Sequence, residues 1–143
     1  VNNDALEKFY RDEFLPKLVT SNPRANANAA LGSAELESSL ASLIPRQTGG
    51  PYLQDHYIVR NPNVSGEKHL LTRSSTDSSD YADAHETYHP VFRGFLEKFN
   101  YYDIFLVDSQ TGNIVDSVFK ETDFGTSLTR GPIATPTSLG LSP

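Results

Sequence analysis

The sequence predicts an α+β fold in which N-terminal helices pack on an antiparallel β-hairpin. Three observations carry that prediction. Apolar residues recur at spacings of three and four in two long stretches, one near the N-terminus and one from residue 80 to 99. Two runs rich in β-branched and aromatic residues, YYDIFLVD and IVDSVFKE, flank the short polar loop SQTGN, which holds Gly112. Helical segments come first and strands second, with no internal repeat, which separates this chain from an alternating α/β protein.

The elements follow in order. Asn3 and Asp4 can cap a helix over residues 5–19, with Leu6, Phe9, Tyr10, Phe14 and Leu18 at helical spacing and Pro16 set to kink or end it. Residues 21–32, rich in Asn and Ala around Pro23, read as a loop. A short amphipathic helix is expected over 34–43, closed by Pro45. Gly49 and Gly50 break the chain, Pro51 suits the first turn of a helix over 52–60, and Asn61-Pro62-Asn63 stops it. After a Ser-rich loop over 74–79, Ser79 or Asp80 caps the strongest helix. Its expected inner face is Tyr81, His85, Tyr88, Phe92, Phe95, Leu96 and Phe99, with a kink at Pro90 or two abutting helices there. In the hairpin, residues 104–107 are apolar on both faces, which predicts a buried strand. Residues 123–128 read as a turn leading to a helix start, and 129–143 as irregular.

Bulk chemistry narrows the function classes. A chain of 143 residues suits one domain. A net charge of -6 and a pI near 5.1 argue against a nucleic-acid partner, because an acidic surface repels phosphate. Hydrophobic residues make up 37% and mean hydropathy is -0.43, with no apolar run long enough to cross a bilayer and no signal-peptide pattern. The chain begins with Val and has no Met, as expected of a processed or excised piece from which any membrane segment has been removed. Cys is absent, which excludes disulfides, thiolate catalysis and thiolate metal sites.

HETYH, residues 85–89, matches the zinc-protease pattern H-E-x-x-H. That chemistry needs His85 and His89 on one helical face, Glu86 as base for a metal-bound water, and a third protein ligand. The extended form of the motif would put Gly at 92 and His at 95, and both are Phe. Pro90 also follows the second histidine directly. The simpler reading places His85 and Tyr88 on the apolar face, His89 at its edge and Glu86 in water. His56 and His69 supply no rescuing spacing, so no metal is assigned.

Tyr52, His56, Tyr57, Tyr88, His89, Tyr101 and Tyr102 are aromatic groups with polar tips, suited to a small-ligand pocket or to the rim of a core. Arg93 and Lys120 could clamp a carboxylate, although solvation at the surface is the commoner fate of such residues. Asp103, Asp108, Asp116 and Asp123 flank the hairpin and look like turn and cap residues. Asn63-Val64-Ser65 is a glycosylation sequon with meaning only in a eukaryotic secretory protein. Gly125 and Gly131 make no phosphate loop, no catalytic triad can be argued, and no cofactor is expected.

From Tyr52 to Leu128 the blocks YLQDHYIVRNPNVSGEKHLL and YHPVFRGFLEKFNYYDIFLVDSQTGNIVDSVFKETDFGTSL resemble the extracytoplasmic sensor region of bacterial methyl-accepting chemotaxis proteins and related transmembrane receptors. The matching features are the helix ending in NPN, the GEK triplet, YHP-x-FR-x-FLE-x-F, YYD-x-FL-x-D, and VFKE-x-DFGT. The resemblance implies a Cache/PAS-like sensor domain over residues 1–128, not an enzyme, on the periplasmic side of an inner-membrane receptor. It implies homodimerisation through the first helix and a small-molecule ligand, with an organic acid or amino acid the plausible class. Its pocket candidates are Tyr52, His56, Tyr57, Tyr88, His89, Arg93, Tyr102, Asp103 and Lys120. Further strands are expected after DFGT in such domains. TRGPIATPTSLGLSP departs from that pattern, so the sheet reads as truncated at its C-terminal end and residues 129–143 as foreign to the domain.

Overall fold

A 20-residue helix, a two-stranded hairpin and two short helices pack around two small buried clusters, so the α+β expectation holds. The computed structural model describes residues 3–14, 16, 44 and 49–130. The expected loop over 21–32, the helix over 34–43 and the tail beyond Arg130 lie outside them. No helix among the described residues is long and apolar enough to cross a membrane.

Helix α1 (Asp4–Phe9) continues into a π-helical turn at Tyr10–Phe14. Leu6 and Tyr10 are buried on its inner face, against Phe9, Phe14, Ile44 and Val59. Helix α2 (Gly50–Gln54) starts after Gly49 in the left-handed region, carries Pro51 in its first turn, and also widens into a π-helical turn, at Asp55–Val59. The two widened helices meet there. Tyr57 and Ile58 pack with the fully buried Phe124. Gly125 has a φ of +77°, and an added Cβ would lie 3.0 Å from the carbonyl oxygen of Gly50, so only glycine lets the DFGT turn press on the start of α2.

Helix α3 (Asp80–Phe99) starts at Ser79, whose backbone N–H donates to Asp77, and stops where Asn100 enters the left-handed region. Two expectations change here: the alternative of two abutting helices at Pro90, and the predicted inner face. The helix runs through Pro90 as one element. Pro90 is exposed, so the Glu86 carbonyl deprived of a backbone donor lies on the wet side. The buried face is Ala82, His85, His89 and Leu96. Tyr88, Phe95 and Phe99 are half-exposed or more. The cause is the segment that covers the helix: it offers carbonyl oxygens of His69 and Thr72, which draw the histidines inward.

Strands β1 (Phe105–Val107) and β2 (Ile114–Ser117) pair antiparallel, with a bulge between Leu106 and Val107. β1 was expected to be buried on both faces. Phe105 and Val107 are instead exposed: among the described residues β1 is an edge strand with β2 as its one neighbour. β2 is better protected. Ile114 N–H donates to Thr126 O at 2.8 Å, Gly125 N–H to Ile114 O at 3.1 Å, and Asn113 bridges Ser127. Residues 123–128 therefore line the far edge of β2 rather than start a helix.

Candidate functional site

Between α3 and β2 lies a cluster of ionisable groups with almost no exposure to solvent. Helical spacing of four stacks the rings of His85 and His89, centroids 4.3 Å apart. Asp116 of β2 faces them, with Oδ1 3.9 Å from His85 Nε2. Lys120, in the turn after β2, returns to place Nζ 2.5 Å from Asp116 Oδ1, also donates to Ser117 O, and lies 4.8 Å from the centre of the Phe124 ring. Tyr81 donates to Asp116 at 3.1 Å.

Hydrogen bonding fixes the histidine tautomers. A carbonyl oxygen only accepts, so Nδ1–H of His85 donates to Thr72 O at 2.6 Å and Nε2–H of His89 to His69 O at 2.7 Å. The opposite nitrogens, His85 Nε2 and His89 Nδ1, are enclosed with no partner among the described residues. Burial, followed by the Lys120 ammonium, lowers the pKa of His85 to about 4 and pushes His89 in the same direction. Both rings are therefore neutral at pH 7, each with an inward lone pair. Burial also lowers Lys120, against the attraction of Asp116.

A second network adjoins the first. Asp77 accepts Tyr52 Oη–H at 2.7 Å and Tyr57 Oη–H at 2.9 Å. Burial alone would raise its carboxyl, but donors from Ser79, Tyr52 and Tyr57 outweigh that and hold it down at about 2. Tyr57 stacks tilted on His85 and edge-on to Tyr81, which joins the two networks.

On the opposite side of Lys120 is a groove of about 780 Å³. Phe9 of α1 and Phe14 of the π-helical turn after it line it together with Phe119, Glu121 and Thr122 after β2, and with Lys68 and Tyr102. One buried side chain ties these walls together. Tyr10 donates to Gln54 Oε1 at 2.9 Å, while Gln54 Nε2 donates to Thr122 O at 3.0 Å and Phe124 O at 2.8 Å.

Of the nine pocket candidates, Tyr102 and Lys120 border the groove. Tyr57, His89 and Lys120 meet in the buried core, with Lys120 enclosed rather than solvated, since Asp116 and two further contacts satisfy it. Tyr52 and His56 pair with each other at its edge, where His56 also bonds Thr76. Asp103 is spent on Ser117 Oγ and the N–H groups of Val118 and Phe119. Arg93 faces Glu97 at 3.7 Å, and Tyr88 is 59% exposed. Arg93 is thus paired along α3 and Lys120 with Asp116, so each already has a carboxylate of the chain. Glu86 lies on the exposed side of α3, paired with Arg73 at 2.9 Å. Asp116, read as a turn residue, is a member of the cluster, and Asp77 and Gln54 were missed. Neither carries a motif; Gln54 could have been flagged only as a polar residue on the inner side of a helix.

Compared with family models, with curated proteins and with solved structures, the chain matches none of them.

Proposed function

We propose that this chain is a small-molecule sensing domain of a bacterial transmembrane receptor, of Cache/PAS-like type, working on the extracytoplasmic side. The groove carries the reading. Its occupant would touch α1 and the turn after β2 at once. The same two segments are already tied through Gln54. A ligand that fits one relative placement of these walls better than another would shift α1 against the hairpin, by as much as its affinities differ. Lys68 lines the groove with its ammonium already bonded to Ile58 O and Asn63 O, so the ligand class, an organic acid or amino acid, comes from the resemblance.

The motif blocks behind the resemblance also interlock, which supports the reading. Asn61 of NPN donates to Tyr57 O and to Lys68 O. Lys68 of GEK donates to Ile58 O and Asn63 O. His89 of YHP reaches His69, directly after GEK, and Asp103 of YYD organises the turn that begins VFKE. Dimerisation through α1 belongs to the same proposal.

A thermal-shift panel of organic acids, amino acids and aromatic metabolites tests it. A ligand at 100 times its dissociation constant should stabilise the domain by about 2.7 kcal/mol. For an organic acid the stabilisation should fall on Tyr102→Ala and rise on Glu121→Gln, which takes a repelling charge out of the groove; both are exposed positions there. A flat panel, or a shift indifferent to both substitutions, would remove the groove as the sensing site.

A further inference from the structure

We propose that His85, His89 and Asp116 form a site for one divalent first-row metal ion, zinc by the chemistry of the donors, with Lys120 as its built-in competitor. One ring nitrogen from each histidine and a carboxylate oxygen of Asp116 lie within 4.8 Å of one another. His85, His89 and Asp116 are 4%, 0% and 8% exposed. Each histidine engages one N–H with a backbone carbonyl and leaves its other nitrogen without a partner among the described residues. That is the arrangement of a metal-ligating histidine, whose outer N–H is held by a carbonyl or carboxylate so that the inner lone pair is aimed at the ion.

Spacing within HETYH gives two ligands and no third; the fold supplies it from β2. Two imidazoles and one carboxylate, with a further position for water, suit zinc. Donors around tetrahedral zinc sit roughly 3.4 Å apart, so the 3.9 Å between His85 Nε2 and Asp116 must close by about half an ångström and the widest pair by about 1.4 Å.

The ammonium of Lys120 now serves as the counter-charge of Asp116. A divalent ion and this ammonium repel one another, so the metal enters as Lys120 leaves. Lys120 borders the groove beside Phe119 and Glu121, which gives its side chain somewhere to go. The proposal stands independently of the sensor reading: a groove ligand can bind above an inert cluster, and a metal can bind beneath an empty groove.

The test titrates chelator-treated protein with zinc and with cobalt(II). One equivalent should bind, cobalt should give the intense visible absorption of tetrahedral coordination, and the melting temperature should rise with zinc. Lys120→Gln, which removes the competing charge but keeps hydrogen-bonding capacity, should tighten binding about tenfold or more, equivalent to about 1.4 kcal/mol. His85→Gln and His89→Gln should each weaken it by about 100-fold, while Glu86→Gln changes nothing. Histidine nitrogen chemical shifts in the native chain read the ligands directly, should a histidine variant fail to fold. Absence of binding to the native chain at about 1 mM metal, or binding retained in the double histidine variant, would overturn the site.

Discussion

Asp123 precedes the fully buried Phe124, and its Oδ1 is enclosed without a hydrogen-bond donor. Burial first, then the neighbouring charges of Asp103 and Glu121, raises its pKa to about 6. The folded chain thus holds this proton more tightly than the unfolded chain. The associated stability is fully present below the unfolded value near 4 and is lost as pH rises through 6. Asp123→Asn should therefore stabilise the protein at pH 8 by about 1–2 kcal/mol, a figure discounted for partial exposure, with the gain gone by pH 4. Urea unfolding of both proteins at the two pH values measures it. None of this was visible along the chain, where Asp123 looked like its neighbours Asp103 and Asp108. Those two do what turn aspartates do, accepting from nearby N–H groups. Sequence shows an Asp beside a turn, but which way the carboxylate faces depends on how α2 and the DFGT turn pack.

At the scale of elements, the hairpin and the three helical stretches at 4–14, 50–59 and 80–99 were legible because turn residues and spacing are local signals. The buried face of α3 was not. Its aromatic residues at 81, 85, 88, 92, 95 and 99 form a clean stripe, yet the helix buries a neighbouring stripe through 82, 85, 89 and 96. Periodicity can find a stripe but cannot weigh it against carbonyls arriving from residues 69 and 72. Asp116 was missed for a related reason, since its partners come from α3 and from a turn with Lys120 at a φ of +57°. Pro90 provides the element-scale prediction. It is exposed in the middle of a helix and removes one backbone hydrogen bond. Pro90→Ala should raise stability by about 1–3 kcal/mol in chemical unfolding, by restoring the donor to the Glu86 carbonyl. A loss instead would mean that proline's restriction of His89 matters more to the cluster than the missing bond.

For the molecule as a whole, the two neutral histidines set an acid limit. His85 titrates at about 4 in the fold, against about 6.5 when unfolded. The folded chain binds this proton less tightly, so the contribution is intact above pH 6.5 and disappears as pH falls to 4, about 3 kcal/mol in all. His89 acts in the same direction. Asp123 opposes them, so the effect is cleanest in the Asp123→Asn background with chelator present. There, the free energy of urea unfolding should drop steadily from pH 7 to pH 4. The Gln54 clasp has a different kind of consequence, one of order in time. Its partners lie 44, 68 and 70 residues away in the chain. A polypeptide made from its N-terminus has the partners of Leu6 and Tyr10 once residues 44–59 exist, but Phe9 lacks Phe124, and the Gln54 amide its two carbonyl acceptors, until this late turn is made. Folding of this region is therefore a late, non-local closure rather than a progressive one, slowed by the cost of bringing distant segments together. Throughout that interval Phe9 is open to non-native contacts, which makes the partly made chain more prone to aggregate than the finished one.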